Sequence, residues 1–156
     1  VTVATIKPRL AVIQAGITGV KRAFAQAPGS LPPGDLPLFA NFTGAARHNW
    51  QIIGHDQDLE TRNYLMRLYV RPVGQGIDGE AERLCEPFFV SVRDAFASRP
   101  GLGLGVAGSH LAGVQQAVFL GDSGVSVLRY SGQDFIGIEF RLEVNEYVEV
   151  NYEAFE

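Results

Sequence analysis

Four side chains near the middle of the chain have the types that bind metals: His48, His55, Asp56 and Asp58. A metal needs converging ligands at about 2 Å, each held by a partner behind it. Neither a helical i, i+4 pair nor a Cys/His knuckle pre-arranges these four, so the sequence reads them as a solvated loop. Gly103-Leu104-Gly105-Val106-Ala107-Gly108 fits the G-x-G-x-x-G pattern of dinucleotide sites. That chemistry needs a strand before the glycines and a helix after them, so that phosphate meets the helix N-terminus. Here the order is inverted, and the segment is expected to be a mobile surface loop. Glu139, Glu143 and Glu149 share a strand face but lie too far apart along it to act as one catalytic pair.

Gly121-Asp122-Ser123-Gly124 resembles the nucleophile segment of trypsin-like serine proteases. A nucleophilic serine needs a histidine base within hydrogen-bond reach and an oxyanion hole, usually with an orienting carboxylate. Histidines do precede it, at positions 48, 55 and 110. Yet Val125 stands where those proteases continue with glycine, no histidine has their usual neighbours, and the chain is too short for two barrels. Between two strands the segment reads as a turn. Cys85, the single cysteine, lies on the apolar stripe of an expected helix and reads as a small buried hydrophobe in a reducing compartment. Asn41-Phe42-Thr43 matches a glycosylation acceptor by chance.

These residues must be positioned by elements that the pattern of apolar residues outlines. A chain of 156 residues fits one domain, here 1–156, and can bury a core without staples. With 46% hydrophobic and 19% charged residues it is not a disordered chain, and part of its surface is expected to be covered by partners. A net charge of −4 argues against a phosphate-binding surface. Neither a signal peptide nor a run long enough to span a bilayer is visible, so a protein made in a cytoplasm, with no membrane partner, is expected.

Thr5 is expected to cap a helix over 6–26, with Leu10, Ile13, Ile17, Val20 and Phe24 as its core stripe. Ala11, Ala15, Gly19 and Ala23 would form a second stripe of small residues. The proline-glycine segment 28–37 reads as a stiff excursion along or off the surface. A short strand over 38–43 precedes a polar loop over 44–58 that holds Trp50, a lone tryptophan that reads first as a lid on the core and otherwise as an interface anchor. A strand over 60–70 points Tyr64, Met66, Leu68 and Val70 inward, and Arg67, Tyr69 and Arg71 outward. Asp78 would cap a second helix reaching about Ser98, with Ala81, Leu84, Cys85, Phe88, Val92, Ala95 and Phe96 in its core stripe. Pro87 predicts a kink or break after Glu86. Strands at about 114–120, 125–130 and 135–152 would then form an antiparallel meander. The fold class is α+β, a single mostly antiparallel sheet with two helices packed on it and a long C-terminal strand.

That last strand is the most telling element. Ile136, Ile138, Phe140, Leu142, Val144, Val148, Val150 and Tyr152 share one parity, interrupted only by Glu146. If straight, the run would span about 55 Å, more than the roughly 40 Å diameter of a domain this size. It must bend, break near Asn145-Glu146, or reach a neighbouring subunit with its distal half.

With no catalytic constellation left, the pattern resembles the tail-terminator (tail-completion) proteins of long-tailed bacteriophages, the lambda-type family. The resemblance lies in the order of elements, above all in Arg62-Asn63-Tyr64-Leu65-Met66-Arg67-Leu68-Tyr69-Val70, followed by Gly74-Gln75-Gly76 and the helix over 78–98. It implies a homo-hexameric ring that caps the tail tube, stops its polymerisation and forms the joint to the head or neck. Expected partners are further copies of the chain, the major tail tube protein and a head–tail connector or neck protein. Viral DNA would pass through without specific binding. The resemblance also implies residence in the virion after assembly in the host bacterial cytoplasm, and no enzymatic activity, cofactor or metal. Residues expected at subunit or tube interfaces are Trp50, Arg67, Arg71, Glu139, Arg141, Glu143, Tyr147, Glu149 and Tyr152. The alternatives are a head-completion or neck connector, and a small-molecule-binding or enzymatic α+β domain. The last would need a pocket with convergent polar groups.

Overall fold

The computed structural model describes residues 3–49, 57–74, 79–105 and 109–149. It contains helix α1 (Val3–Ala15), strands β1 (Arg22–Phe24), β2 (Leu38–Asn49) and β3 (Gln57–Pro72), helix α2 (Gly79–Ala97), and strands β4 (Val114–Asp122), β5 (Ser126–Tyr130) and β6 (Gln133–Glu149). The six strands form one sheet in the order β1-β2-β3-β6-β4, with β5 also paired to β6. Every pairing is antiparallel except β1 with β2. This is the expected α+β architecture of one sheet with two helices.

The helices lie on one face. Ile6, Leu10 and Ile13 of α1 and Ala81, Cys85, Phe88, Val92 and Phe96 of α2 pack with Phe39, Tyr64, Met66, Leu68, Ile136, Ile138, Phe140, Leu142 and Val144 of the sheet. The apolar parity of the last strand is therefore core through Val144, as expected. The helix over 6–26 is shorter than expected: α1 ends at Ala15, and Thr5 lies within it rather than capping it. Gly16 and Gly19 would each cost a helix about 1 kcal/mol, and the chain instead turns and sends Arg22–Phe24 alongside β2. Of the small-residue stripe only Ala11 and Ala15 remain helical. Pro87 does not break α2. It sits on the exposed side, so the carbonyl it leaves unpaired, that of Arg83, faces water. Leu84, expected in the core stripe, is exposed. Asp78, the expected cap, lies outside the described residues.

The sheet's far face is not simply wet. Leu31, Leu36, Leu38, Ala40, Tyr69 and Phe135 form a second buried cluster, flanked by Phe24, Phe42, Leu128 and Tyr130. The proline-glycine segment lies across this face, fastened by Lys21 N–H to the Pro37 carbonyl at 2.9 Å and by the Tyr130 hydroxyl to the Pro28 carbonyl. Tyr69, expected outward into solvent, is thus fully buried, its ring edge-on to Tyr130 and Phe135. Opposite it stands Gly137, where a Cβ would meet the Leu68 carbonyl oxygen at 2.1 Å. A register shift between Tyr69 and Arg71 turns Arg71 to the helix face, opposite Ile136, so it does not continue the outward row of Arg67.

The expected meander is also corrected. β4 and β5 do not pair with each other; both run antiparallel to β6, end to end along one edge. Asp122 pairs with Phe140 and Ser126 with Gly137, so three residues oppose two, and the 121–124 segment is a bulge in an interrupted strand. The turn at Ser131-Gly132, with φ of 49° and 80°, has the two positive values that suit a two-residue hairpin.

Candidate assembly surface

β2, β3 and β6 together extend past the helices. Two shorter expectations are overturned here. β2 runs on to Asn49 rather than ending at 43, and β3 starts at Gln57, so much of the expected polar loop is strand. A register shift between Thr43 and Ala46 interrupts the alternation and hides the strand from periodicity. From Thr43 onward the described side chains of β2 are exposed or half-buried, because no helix covers them.

Two edges of this sheet are open among the described residues. β1 covers β2 only at Leu38–Ala40, leaving the remainder of β2 unpaired on that side. On the opposite edge, β4 and β5 pair only with β6 and expose Leu120 and Val127. β6 itself is continuous from Gln133 to Glu149 and does not break at Asn145-Glu146. Beyond Glu146 it remains paired with β3 of its own chain, through Gln57↔Glu149. Through Glu149 the distal part is therefore seated on its own subunit, and positions 150–152, the end of the expected strand, lie outside the described residues.

The far face of this extension carries most of the expected interface residues, and they are brought together by cross-strand pairing. Arg67 and Glu139 are register partners, joined by Arg67 Nε to Glu139 Oε2 at 2.8 Å. The Arg67 guanidinium lies 4.7 Å from the Phe42 ring centre. Arg141 approaches the other oxygen of Glu139 at 3.7 Å, and Arg47 approaches Glu143 at 3.8 Å. The Thr61 hydroxyl donates to Asn145 Oδ1 at 2.6 Å, and Tyr147 is exposed near the tip. Arg71 stands apart, on the helix face near Cys85, whose thiol burial pushes up to about 11, with Arg71 acting in the opposite sense. Trp50 and Tyr152 lie outside the described residues. Glu149 ends β6, and its side chain is likewise outside the description.

The near face at the same end holds residues that periodicity did not single out. Glu60 accepts from Arg62 Nε at 3.0 Å and Nη2 at 2.7 Å, while Arg62 Nη1 reaches the Gly44 carbonyl at 3.0 Å. His48 Nε2 lies 3.7 Å from Glu60 Oε2. Glu146 is 2% exposed opposite Glu60. The one available signal was Glu146 itself, the charge interrupting an apolar parity. A buried amide pair was also missed: Gln14 and Asn41 exchange hydrogen bonds of 2.7 and 2.8 Å, and Asn41 Nδ2 also donates to the Phe24 carbonyl. Asn41 is fully buried, so the glycosylation match has no accessible amide.

The chemically suggestive motifs acquire structural roles. Ser123 Oγ accepts from Glu139 N–H at 3.0 Å and donates to the Gly124 carbonyl at 2.9 Å. Gly124 N–H donates to Asp122 Oδ1, so the segment is a self-bonded bulge. The glycine-rich loop is anchored where it leaves α2 and where it approaches β4. Leu102 is fully buried, its carbonyl accepts from Arg9, and Gly101 and His110 lie in contact. The loop follows α2 and precedes β4, the inverse of a dinucleotide site. His55 and Asp56 lie outside the described residues, and among those described no cluster of three metal-binding side chains occurs. A depression between α1 and α2 is lined by Ile13, Gly16, Ile17, Thr18, Ser91, Ala95 and Arg99. Arg99 there donates to the Ala95 carbonyl. No described helix is long and apolar enough to cross a membrane.

No protein-family model matches the sequence, and a search of curated proteins finds no significant match.

Proposed function

We propose that the chain is a non-enzymatic structural subunit that closes head-to-tail into a ring, the ring that terminates a long-tailed phage's tail tube. The observation that carries the reading is the pair of open edges on opposite sides of one sheet. Long open edges are a liability that proteins cover or use. β2 is antiparallel to β3, β3 to β6 and β6 to β4, so β4 runs opposite to β2. A rotation that repeats the subunit therefore sets β4 of one copy antiparallel to β2 of the next, and a heterologous contact of this kind gives a ring when the rotation closes.

The phage assignment rests on the resemblance in element order, and hexameric stoichiometry comes with it. On this reading the ring meets the major tail tube protein on one side and a connector or neck protein on the other. DNA passes through without specific binding, in keeping with a net charge of −4. The protein would be assembled in the host cytoplasm and end in the virion. The ion-paired far face of the β2–β3–β6 extension offers polar rim contacts of the kind interfaces use.

The test is light scattering over a concentration series, with negative-stain imaging in the presence of tail tubes. Rings at tube ends are expected. Lysine at both exposed edge positions, L120K with V127K, should leave the circular dichroism intact and abolish ring formation. A wild-type chain that stays monomeric at all concentrations and ignores tubes refutes the proposal.

A further inference from the structure

The helix-facing side of the sheet changes character toward its far end. As far as Tyr64 and Val144 the helix-facing residues of β3 and β6, Arg71 apart, are apolar and packed beneath the helices. Beyond them the same parity carries Glu60 and Arg62 on β3 and Glu146 on β6. Glu60 and Glu146 are direct cross-strand partners, and they are 8% and 2% exposed. Side chains so paired stand about 5 Å apart at Cβ, a distance at which two like charges repel.

The direct ion pairs fall on Glu60. Arg62 places two N–H groups on Glu60, and His48 stands at the other oxygen of the same residue. Glu146 Oε2 has no hydrogen-bond partner among the described residues, and neither has the hydroxyl of the fully buried Tyr64. On its other flank Glu146 pairs with Val114 of β4, which offers no charge. An ionised Glu146 would thus be a second negative charge, out of water, beside one already satisfied.

We propose that Glu146 is a proton-operated latch near the far end of the described sheet. Protonated, it is a neutral side chain filling the buried parity, and the ends of β6 and β3 stay seated. Ionised, it repels Glu60 and loosens β6 from Val144 to Val148 together with the paired segment of β3. Among the described residues, the groups that face it are Glu60, Arg62 and Tyr64 of β3, with His48 of β2 reached through Glu60. Burial first, and then Glu60, raise its pKa, while the N-terminal ammonium and then Arg62 act in the opposite sense. Burial and the Glu146 charge also raise that of Tyr64, which stays a neutral donor. A bound cation would have to compete with the Arg62 guanidinium already seated between β2 and Glu60.

A carboxyl whose folded pKa is raised contributes stability that is complete below its ordinary pKa and is lost as pH rises through the raised value. The proposal is independent of ring formation, because every group it uses belongs to one chain.

Hydrogen exchange on the whole protein tests it, at about pH 5 and about pH 8, with rates corrected for intrinsic chemistry. In the wild type, protection of amides over 144–148 and 59–62 should drop at the higher pH, while that of Ile138 and Phe140 holds. Glu146→Gln keeps the shape without the charge and should show no such fall. The wild type alone should also show, in infrared difference spectra, a protonated-carboxyl band that persists above the ordinary carboxylate range. A flat wild-type profile overturns the proposal, as does an equal fall in E146Q or the absence of that band.

Discussion

The Gln14–Asn41 pair allows a quantitative test of what fixes α1 to the sheet. Both side chains are fully buried, and they meet amide to amide across the contact between α1 and β2. Asn41→Val preserves volume and strand preference but strands three polar groups: the Gln14 amide N–H, the Gln14 carbonyl and the Phe24 carbonyl. An orphaned buried group costs about 1–3 kcal/mol. Partial relaxation toward solvent leaves an expected loss of about 3 kcal/mol, a large share of the roughly 5–15 kcal/mol available to such a domain. Gln14→Leu leaves Asn41 its bond to Phe24 and should cost about 2 kcal/mol. In the double variant the amides no longer orphan each other, and the cost should stay near 2 kcal/mol rather than reach about 5. The cycle thus predicts a coupling of about 3 kcal/mol, read from urea unfolding at constant m-value. Single costs below about 1 kcal/mol that simply add would refute it and mean that water reaches the pair.

Three further outcomes are expected. Cys85 is fully buried with its thiol pKa pushed up to about 11, so a thiol reagent at neutral pH should label it only as fast as the protein unfolds; rapid stoichiometric labelling of the native protein would contradict its placement. Gly137→Ala sets a methyl against the Leu68 carbonyl, and thermal unfolding should show a loss of about 1–3 kcal/mol, whereas an exposed-strand glycine would gain from the same change. Arg67→Met keeps the stem over Phe42 but loses the pair with Glu139; side-chain exposures of 31% and 15% limit the loss to about 1 kcal/mol, and high salt should shrink it.

How much of this was legible depends on what alternation can report. Apolar parity identifies which residues leave water, and it placed Ile136 to Val144 and Tyr64 to Leu68 in the core without error. It does not report what does the covering. Tyr69 and Phe135 sit on the opposite parity, and they are buried because the 28–37 segment folds back over them. That depends on long-range docking of Leu31 and Leu36, which no local period encodes. Bulges do the rest of the damage. At Thr43/Ala46 and at Tyr69/Arg71 one displaced residue shifts the parity, so β2 looked six residues shorter than its 12 and Arg71 was assigned the wrong face. Helix ends suffered from the same locality: the period of α1 continues arithmetically past Gly16, but the backbone does not.

At Glu146 the local pattern and the strand register part company. A charge on a buried parity invites the conclusion that the strand ends there. The partners decide otherwise: Glu60 and Val114 remain in register with it, and pairing continues to Glu149. A sequence shaped only for stability would continue the pattern with another branched aliphatic residue, since a buried carboxyl group with an unpartnered oxygen is costly in either protonation state. Places where the local rule fails while the global register holds are where function tends to override stability. The long final strand therefore matters less for its reach than for the unsatisfied group it carries near its end, beside an arginine that serves Glu60 instead.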